Sequence, residues 1–233
     1  MTTRQNQAPD VLDAASLGFA EDFVHSSEAV QTARETALVG GARPISSGVA
    51  SALTFLARLI DAHAVVEIGT GTGVTGLALF DGMNAEGILT SIDAEADWQI
   101  EARTAFTKAK VPAQRFRLIG GSALDVLPKL REEAYDLVLV NGDKLEYVEY
   151  VAQALRLLRP GGVIVVHDVL WQGLVADPRN DDDETVIIRE ALQAIQDAPS
   201  LTPVMIPLGD GLMVAMKARA STPASQGKLE TTA

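Results

Sequence analysis

The residues best suited to chemistry sit in a few short segments. In Val65-Val-Glu67-Ile-Gly69-Thr-Gly71-Thr-Gly73-Val-Thr75-Gly76 an acid interrupts an apolar run and three glycines follow at alternate positions. Without a Cβ, such a backbone can turn sharply and approach a ligand closely. The spacing Gly71-x-Gly73-x-x-Gly76 formally fits the dinucleotide fingerprint, which alone does not separate NAD from other adenosine-containing cofactors, and a glycine-rich connection without a ligand is the bland alternative. About 20 residues beyond Gly73, Ser91-Ile92-Asp93 ends in an acid. There a carboxylate can accept hydrogen bonds from both ribose hydroxyls or cap the next helix; the glycine loop at that distance favours the ribose. Glu67 discriminates further. A buried carboxylate is costly unless partnered, so it is expected to face a cation or several donors. It would repel a pyrophosphate, whereas S-adenosylmethionine (SAM) brings an ammonium and no phosphate.

The elements that must position these loops read as an open α/β sheet. Runs such as Asp136-Leu-Val-Leu-Val140 and Val163-Ile-Val-Val166 are apolar at consecutive positions, the mark of strands covered on both faces. Further β-rich runs lie at 64–68, 87–92 and 116–119, and helical stretches at 73–83, 95–110, 122–132 and 146–158 separate the runs. Before them, one helix is expected from Leu17 to Val39, ended by Gly40-Gly41. Another follows Ser46-Ser47 with Val49, Leu53, Leu56 and Ile60 on one stripe. After a helix at 184–197, strands at 201–207 and 212–217 flank Leu208-Gly209-Asp210-Gly211, which is turn chemistry for a hairpin. In such sheets ligands bind beyond the carboxyl ends of the strands.

Composition narrows the partners. The chain has 233 residues, 47% hydrophobic and 21% charged, enough for one sizeable core. We expect a single domain over 17–217, its N-terminal helices within 17–62, between disordered tails at 1–16 and 218–233 that are too polar to offset their ordering entropy. The lack of cysteine excludes a disulfide scaffold, a thiolate metal site and thiol catalysis. A net charge of −12 argues against nucleic acid as a partner. No apolar run is long enough for a bilayer, and the first residues lack a secretory stretch. A soluble cytoplasmic protein acting on small molecules is the expectation.

VVEIGTGTG, TSID, GGSALDVLPKL, YDLVLVNGDK, LLRPGGVIVVHDVLW and PLGDGLMVAMK occur in an order and spacing that resemble the SAM-dependent O-methyltransferases of the catechol and caffeoyl-CoA type, from about Ala33 to Lys217. The resemblance implies a class I methyltransferase Rossmann-like sheet, commonly in strand order 3-2-1-4-5-7-6, mostly parallel with an antiparallel C-terminal hairpin and helices on both faces, often paired as a homodimer. It also implies a cofactor site. Glu67, Gly69 and Thr70 would line the methionine and ribose side, Thr75 would hold the methionine carboxylate, and Asp93 the ribose. Ala123 would lie by the adenine, Asp143 would meet the ammonium, and Ile45 would give a backbone contact.

One part of the pattern is broken. The family holds its acceptor through a divalent cation, usually Mg²⁺, bound by an Asp and by an Asp-Asn pair after the next strand; those positions here are Asn141, Asp168 and Val169. Asp168 and Asn141 are the residues that would still hold Mg²⁺ or Ca²⁺ with waters, but valine offers no ligand and the site reads as degenerate. Lys144 keeps the family's lysine and can act as general base if its neutral form is favoured; the bland reading is a solvated lysine opening a helix. His167 reads as structural, the acidic run 181–184 as a helix N-terminus, and Leu170, Trp171 and Tyr147 as walls of an acceptor pocket. Two rivals remain: an NAD(P)-dependent oxidoreductase, which lacks a Tyr-x-x-x-Lys pair here, and a non-catalytic SAM-binding protein.

Overall fold

The computed structural model describes residues 13–219. Strand side chains alternate between two faces, and here both faces of the central strands are buried. Val65, Leu89, Leu137 and Val163 enter one core, and Val66, Ile92, Val138 and Ile164 enter the other. The strands are β1 (Ala64–Ile68), β2 (Ile88–Asp93), β3 (Phe116–Gly120), β4 (Tyr135–Val140), β5 (Leu158–His167), β6 (Leu201–Ile206) and β7 (Leu212–Lys217). They form a seven-stranded sheet in the order β3-β2-β1-β4-β5-β7-β6. β1 to β5 run parallel, and β7 pairs antiparallel with both β5 and β6, which is the expected class I arrangement.

The helices are α1 (Ala14–Asp22), α2 (Glu28–Val39), α3 (Ser47–Leu59), α4 (Val74–Gly82), α5 (Ala96–Lys108), α6 (Ala123–Val126), α7 (Tyr147–Leu157) and α8 (Asp183–Asp197). α2 to α5 cover the first core, where the Phe106 ring meets Phe80 and Phe116 edge-on at centroid distances of 5.4 and 5.2 Å. α6, α7 and α8 cover the second. Among the described residues no helix is long and apolar enough to cross a membrane.

Four boundaries differ from the sequence expectation. The helix expected over 17–39 is two helices, because the Ser27 hydroxyl takes the Val30 N–H and starts α2 afresh. Asp13 caps α1 by accepting from Ser16 N, so residues 13–16 of the expected N-terminal tail open a helix; the rest of that tail and most of 218–233 lie outside the described residues. The helix expected over 122–132 shrinks to α6 and a 3₁₀ turn at Leu127–Lys129, where Pro128 has no N–H to continue a helix. β5 begins at Leu158, directly off α7, and its register shifts against β4 between Tyr135 and Leu137.

One buried carboxylate fixes where three strands begin. Asp136 Oδ2 accepts from His63 N and Ala64 N, each at 2.7 Å, while Oδ1 accepts from Arg159 Nε at 2.5 Å. It thereby ties β1, β4 and β5 at their amino ends. Asp136→Ala would leave two backbone donors and a guanidinium without their partner. It should lower stability by about 3 kcal/mol, read as a fall in the urea midpoint at an unchanged slope.

Candidate active site

The carboxyl ends of β1, β2 and β4 are stitched together by backbone bonds. Gly69 N donates to Ile92 O and Asn141 N to Ile68 O, both at 2.8 Å, and Gly121 N donates to Asp93 O at 2.9 Å. Gly69 has φ 92°, and a Cβ there would lie 2.2 Å from the Asn141 carbonyl oxygen, so only glycine permits this approach. It brings the glycine loop against the segment Asn141-Gly-Asp-Lys144. Above them opens a cavity of about 550 Å³. Ile45, Gly69, Thr70, Thr75, Asp93, Ala123 and Asp143 line it, as do Asn141, Lys144 and Asp168. Residues far apart in sequence, each expected at the site, therefore share one cavity.

Their local geometry is specific. Asp93 does not cap α5, whose N-cap is Glu95. Its two oxygens accept from Gly71 N at 3.0 Å and Glu95 N at 2.9 Å, which orients the carboxylate and leaves lone pairs for a ligand. Gly73, with φ 84°, caps α4 and puts Thr75 in its first turn, where backbone N–H groups lack helical partners. Ile45 belongs to the loop before α3, and Arg34 Nε occupies its carbonyl at 2.9 Å. Asp143 is exposed and accepts from Leu145 N. Trp98 and Arg43 also line the cavity and were not expected. For Trp98 the available signal was an aromatic residue in the first turn of the helix after Asp93.

Glu67 is the exception, lying beneath the loop, fully buried and outside the lining. It pairs in register with Ser91 and ends a directed chain. Gln99 Nε2 donates to Thr70 Oγ1 at 3.0 Å, Thr70 is 2.6 Å from Ser91 Oγ, and Ser91 donates to Glu67 Oε2 at 2.5 Å. Oε1 is buried with no hydrogen-bond partner. Burial pushes the Glu67 carboxyl up from its ordinary 4.5 to about 7, against the pull of the Ser91 and nearby Thr75 hydroxyls and with a further push from the Asp93 charge. Of the cation or donors expected beside it, the structure supplies hydroxyl donors, and among the described residues no cationic side chain acts on it. Acceptors at Asp93 and Asp143 and donors at the start of α4 fit a cofactor with an ammonium, a carboxylate and ribose hydroxyls, which SAM has.

A second cavity, of about 720 Å³, adjoins the first and shares Ile45, Asp143, Lys144 and Asp168 with it. Trp171 is in its wall. Tyr147 is fully buried below, and Leu170 packs against Gly211 instead of facing the space. Lys144 is largely buried, not solvated. Its Nζ donates to Tyr147 Oη at 2.7 Å, pairs with Asp168 Oδ2 at 3.4 Å, and lies 4.8 and 5.6 Å from the Tyr147 and Trp171 ring centroids. Burial lowers the Lys144 ammonium below its ordinary range, opposed by Asp168, Asp210 and Asp143.

His167, expected to be merely structural, bridges the two candidate metal ligands. Nδ1 is 2.8 Å from Asn141 Oδ1, and Nε2 is 3.1 Å from Asp168 Oδ1. Burial lowers its basicity, and a neutral imidazole has one N–H for two acceptors. A half-turn of the Asn141 amide, which exchanges its O and N, satisfies both nitrogens. With the amide turned either way, Asp168 faces His167 on one oxygen and Lys144 on the other, and Val169 is fully buried in the core. Mg²⁺ usually keeps one or two carboxylates; here the single carboxylate already carries a cation. The donor set does not fit the metal.

A family model described as O-methyltransferase matches residues 25–218. A protein of Mycobacterium sp. (strain JLS) with a provisional O-methyltransferase name is 44% identical over 203 residues, 87% of this chain and 92% of its own. A similarly named protein of Mycobacteroides abscessus is 41% identical over 217 residues, 93% of this chain and all of its own. Among solved structures, the O-methyltransferase TomG of Streptomyces achromogenes, involved in tomaymycin synthesis and solved in complex with SAM, is 28% identical with a TM-score of 0.78, covering 88% of this chain and 96% of that one.

The raised Glu67 carboxyl makes stability depend on pH. The native state binds this proton more tightly than the unfolded chain, so its contribution is complete below about 4.5 and is lost as pH rises through about 7. Relative to Glu67→Gln, the wild type should lose about 3 kcal/mol across that window, measured by urea unfolding at a series of pH values; parallel pH profiles would contradict it.

Proposed function

Because this chain belongs to the O-methyltransferase family, we propose that it moves the methyl group of SAM to a hydroxyl of a small-molecule acceptor without a divalent metal, Lys144 assisting loss of the hydroxyl proton. SAM-dependent O-methylation follows from the family and from the fold shared with SAM-bound relatives. A nicotinamide cofactor is disfavoured, since Asp93, Glu95, Asp143, Glu146 and Asp168 around the first cavity would face its pyrophosphate. The observation that carries the metal-free reading is the pairing of Asp168 with Lys144 at 3.4 Å while His167 spans to Asn141.

In this reading Asp93 accepts from the ribose hydroxyls, Thr75 and the free N–H groups opening α4 take the methionine carboxylate, and Asp143 takes the ammonium. Gly69 and Thr70 line the methionine side, Ala123 borders the adenine, and Ile45 contributes its N–H because Arg34 holds its carbonyl. Glu67 acts from below, fixing Ser91 and Thr70 through its hydrogen bonds. When bound, SAM supplies an electrophilic sulfonium methyl for in-line displacement. Lys144 is held in place by Tyr147, whose own hydroxyl donates to the His167 carbonyl at 2.9 Å, and its burial favours the neutral amine a base requires. The rest of catalysis is alignment of the two reactants.

We further infer a homodimer acting in the cytoplasm, with neither membrane nor nucleic acid as partner. Exposed Phe19, Phe23, Val24, Phe55 and Leu59 on and beside α1 and α3 support the pairing. Sedimentation of the wild type should report a dimer and that of Phe55→Glu a shift to monomer.

Two experiments test the site. Asp93→Ala should weaken SAM binding by about 1.5–3 kcal/mol, the worth of hydrogen bonds to a charged group, in a calorimetric titration of the folded variant; unchanged affinity removes Asp93 from the site. Methyl transfer should survive EDTA and fall by about 10²-fold or more in Lys144→Ala, whereas Asn141→Asp with Val169→Asn should introduce Mg²⁺ dependence. Wild-type activity abolished by EDTA and restored by Mg²⁺ would overturn the metal-free reading.

A further inference from the structure

We propose that the acceptor is a phenol held through one hydroxyl oxygen, not a vicinal diol held through two. This rests on the methyltransferase reading above and adds the class of acceptor. A chelating cation offers several open positions at once, whereas an amine offers three, each aimed along one bond. Lys144 Nζ spends one on Tyr147 Oη at 2.7 Å and one on Asp168 Oδ2 at 3.4 Å. Tyr147 cannot return a proton, since its own goes to the His167 carbonyl at 2.9 Å. One position is left, an N–H in the ammonium or the lone pair in the amine, and it meets one oxygen.

Asp168 and position 169 add no second grip. The other Asp168 oxygen faces His167 Nε2 at 3.1 Å, and Val169, where the resembled family has an amide, is turned fully into the core. The wall beside Lys144 suits a flat ring. Trp171, Pro44 and Ile45 give the second cavity apolar surface, and the Trp171 ring lies within 5.6 Å of Nζ. The turn that presents Trp171 is strained. Asp168, Trp171 and Gln172 have φ of 56°, 48° and 55°, a region that side chains other than glycine rarely adopt. It is pinned by Gln172 N donating to both Asp210 carboxylate oxygens at 2.8 Å and by Leu170 N donating to the Asp210 carbonyl at 2.9 Å. Strain of this kind persists where surrounding structure enforces it, commonly at functional sites. In the reaction the phenol oxygen forms the new O–C bond as the S–C bond breaks, its proton passes to the Lys144 amine, and the sulfur keeps the bonding pair.

The test uses the full-length protein saturated with the demethylated cofactor product and titrated calorimetrically with 4-methylphenol or 4-methylcatechol, each in EDTA or in Mg²⁺. The two probes should bind within about three-fold of each other, and Mg²⁺ should shift neither. Trp171→Ala should weaken both by about ten-fold while binding the cofactor product as the wild type does. Catechol binding about ten-fold tighter and only in Mg²⁺, or no binding of either probe, would overturn the proposal. Failure of the cofactor product itself to bind would instead overturn the methyltransferase reading on which it rests.

Discussion

The site depends on one close approach, that of Gly69 to the Asn141 carbonyl, where a single added carbon would lie 2.2 Å from the oxygen. β1 sits between β2 and β4, and the connections that leave the carboxyl ends of β1 and β4 run in opposite directions, to β2 and to β5. The crevice this creates is where open α/β sheets bind ligands. Because the two loops touch through backbone atoms, the loop facing the first cavity and the loop carrying Lys144 are fixed relative to each other. Asp136 sets the same strands at their other end. The frame is therefore defined by polar contacts at both ends of the sheet and by apolar packing between them.

Charge inside this frame is arranged as two linked problems. Glu67 is buried with one oxygen bonded to Ser91 and the other open, and its raised pKa near 7 is the consequence of burial without a counter-ion. Asp168 has the opposite environment, with Lys144 and His167 on its two oxygens. Lys144 is in turn surrounded by acids that only partly offset the desolvation of its ammonium. In the proposed metal-free reading, a charge that the resembled family supplies with a metal would be supplied by a side chain. An ammonium balances one carboxylate but cannot be shared among many oxygens, so the exchange has consequences for what can be gripped.

α1 is held by a few polar contacts. α1 buries none of its residues. Its Glu21 carboxylate accepts from Gly48 N at the start of α3 at 3.0 Å and also from Gly209 N in the β6–β7 turn. That turn carries Asp210, which pins the strained loop of Trp171. One carboxylate thus links the outermost helix to the wall of the second cavity, with little apolar burial to support it.

The sequence by itself determined the sheet and the first cavity's side of the site. Consecutive apolar runs are buried on both faces, and the glycines at fixed spacing followed by Asp93 mark a ligand loop, so the strands and that loop were legible along the chain; Ile45, Thr75, Ala123 and Asp143 came from the family resemblance. Local hydrogen bonding decided what periodicity could not, as in the fresh cap at Ser27 and the missing N–H of Pro128. The roles of Glu67 and His167 were decided only by the tertiary structure. Strand pairing turned Glu67 beneath the loop toward Ser91 instead of into the cavity. His167 looked like an ordinary core histidine until Asn141, from another strand end, and Asp168 came to lie at its two nitrogens. A carboxylate's type and position can be read along a chain. Its partner cannot, because the partner is supplied by whichever distant segment the fold brings within hydrogen-bonding reach.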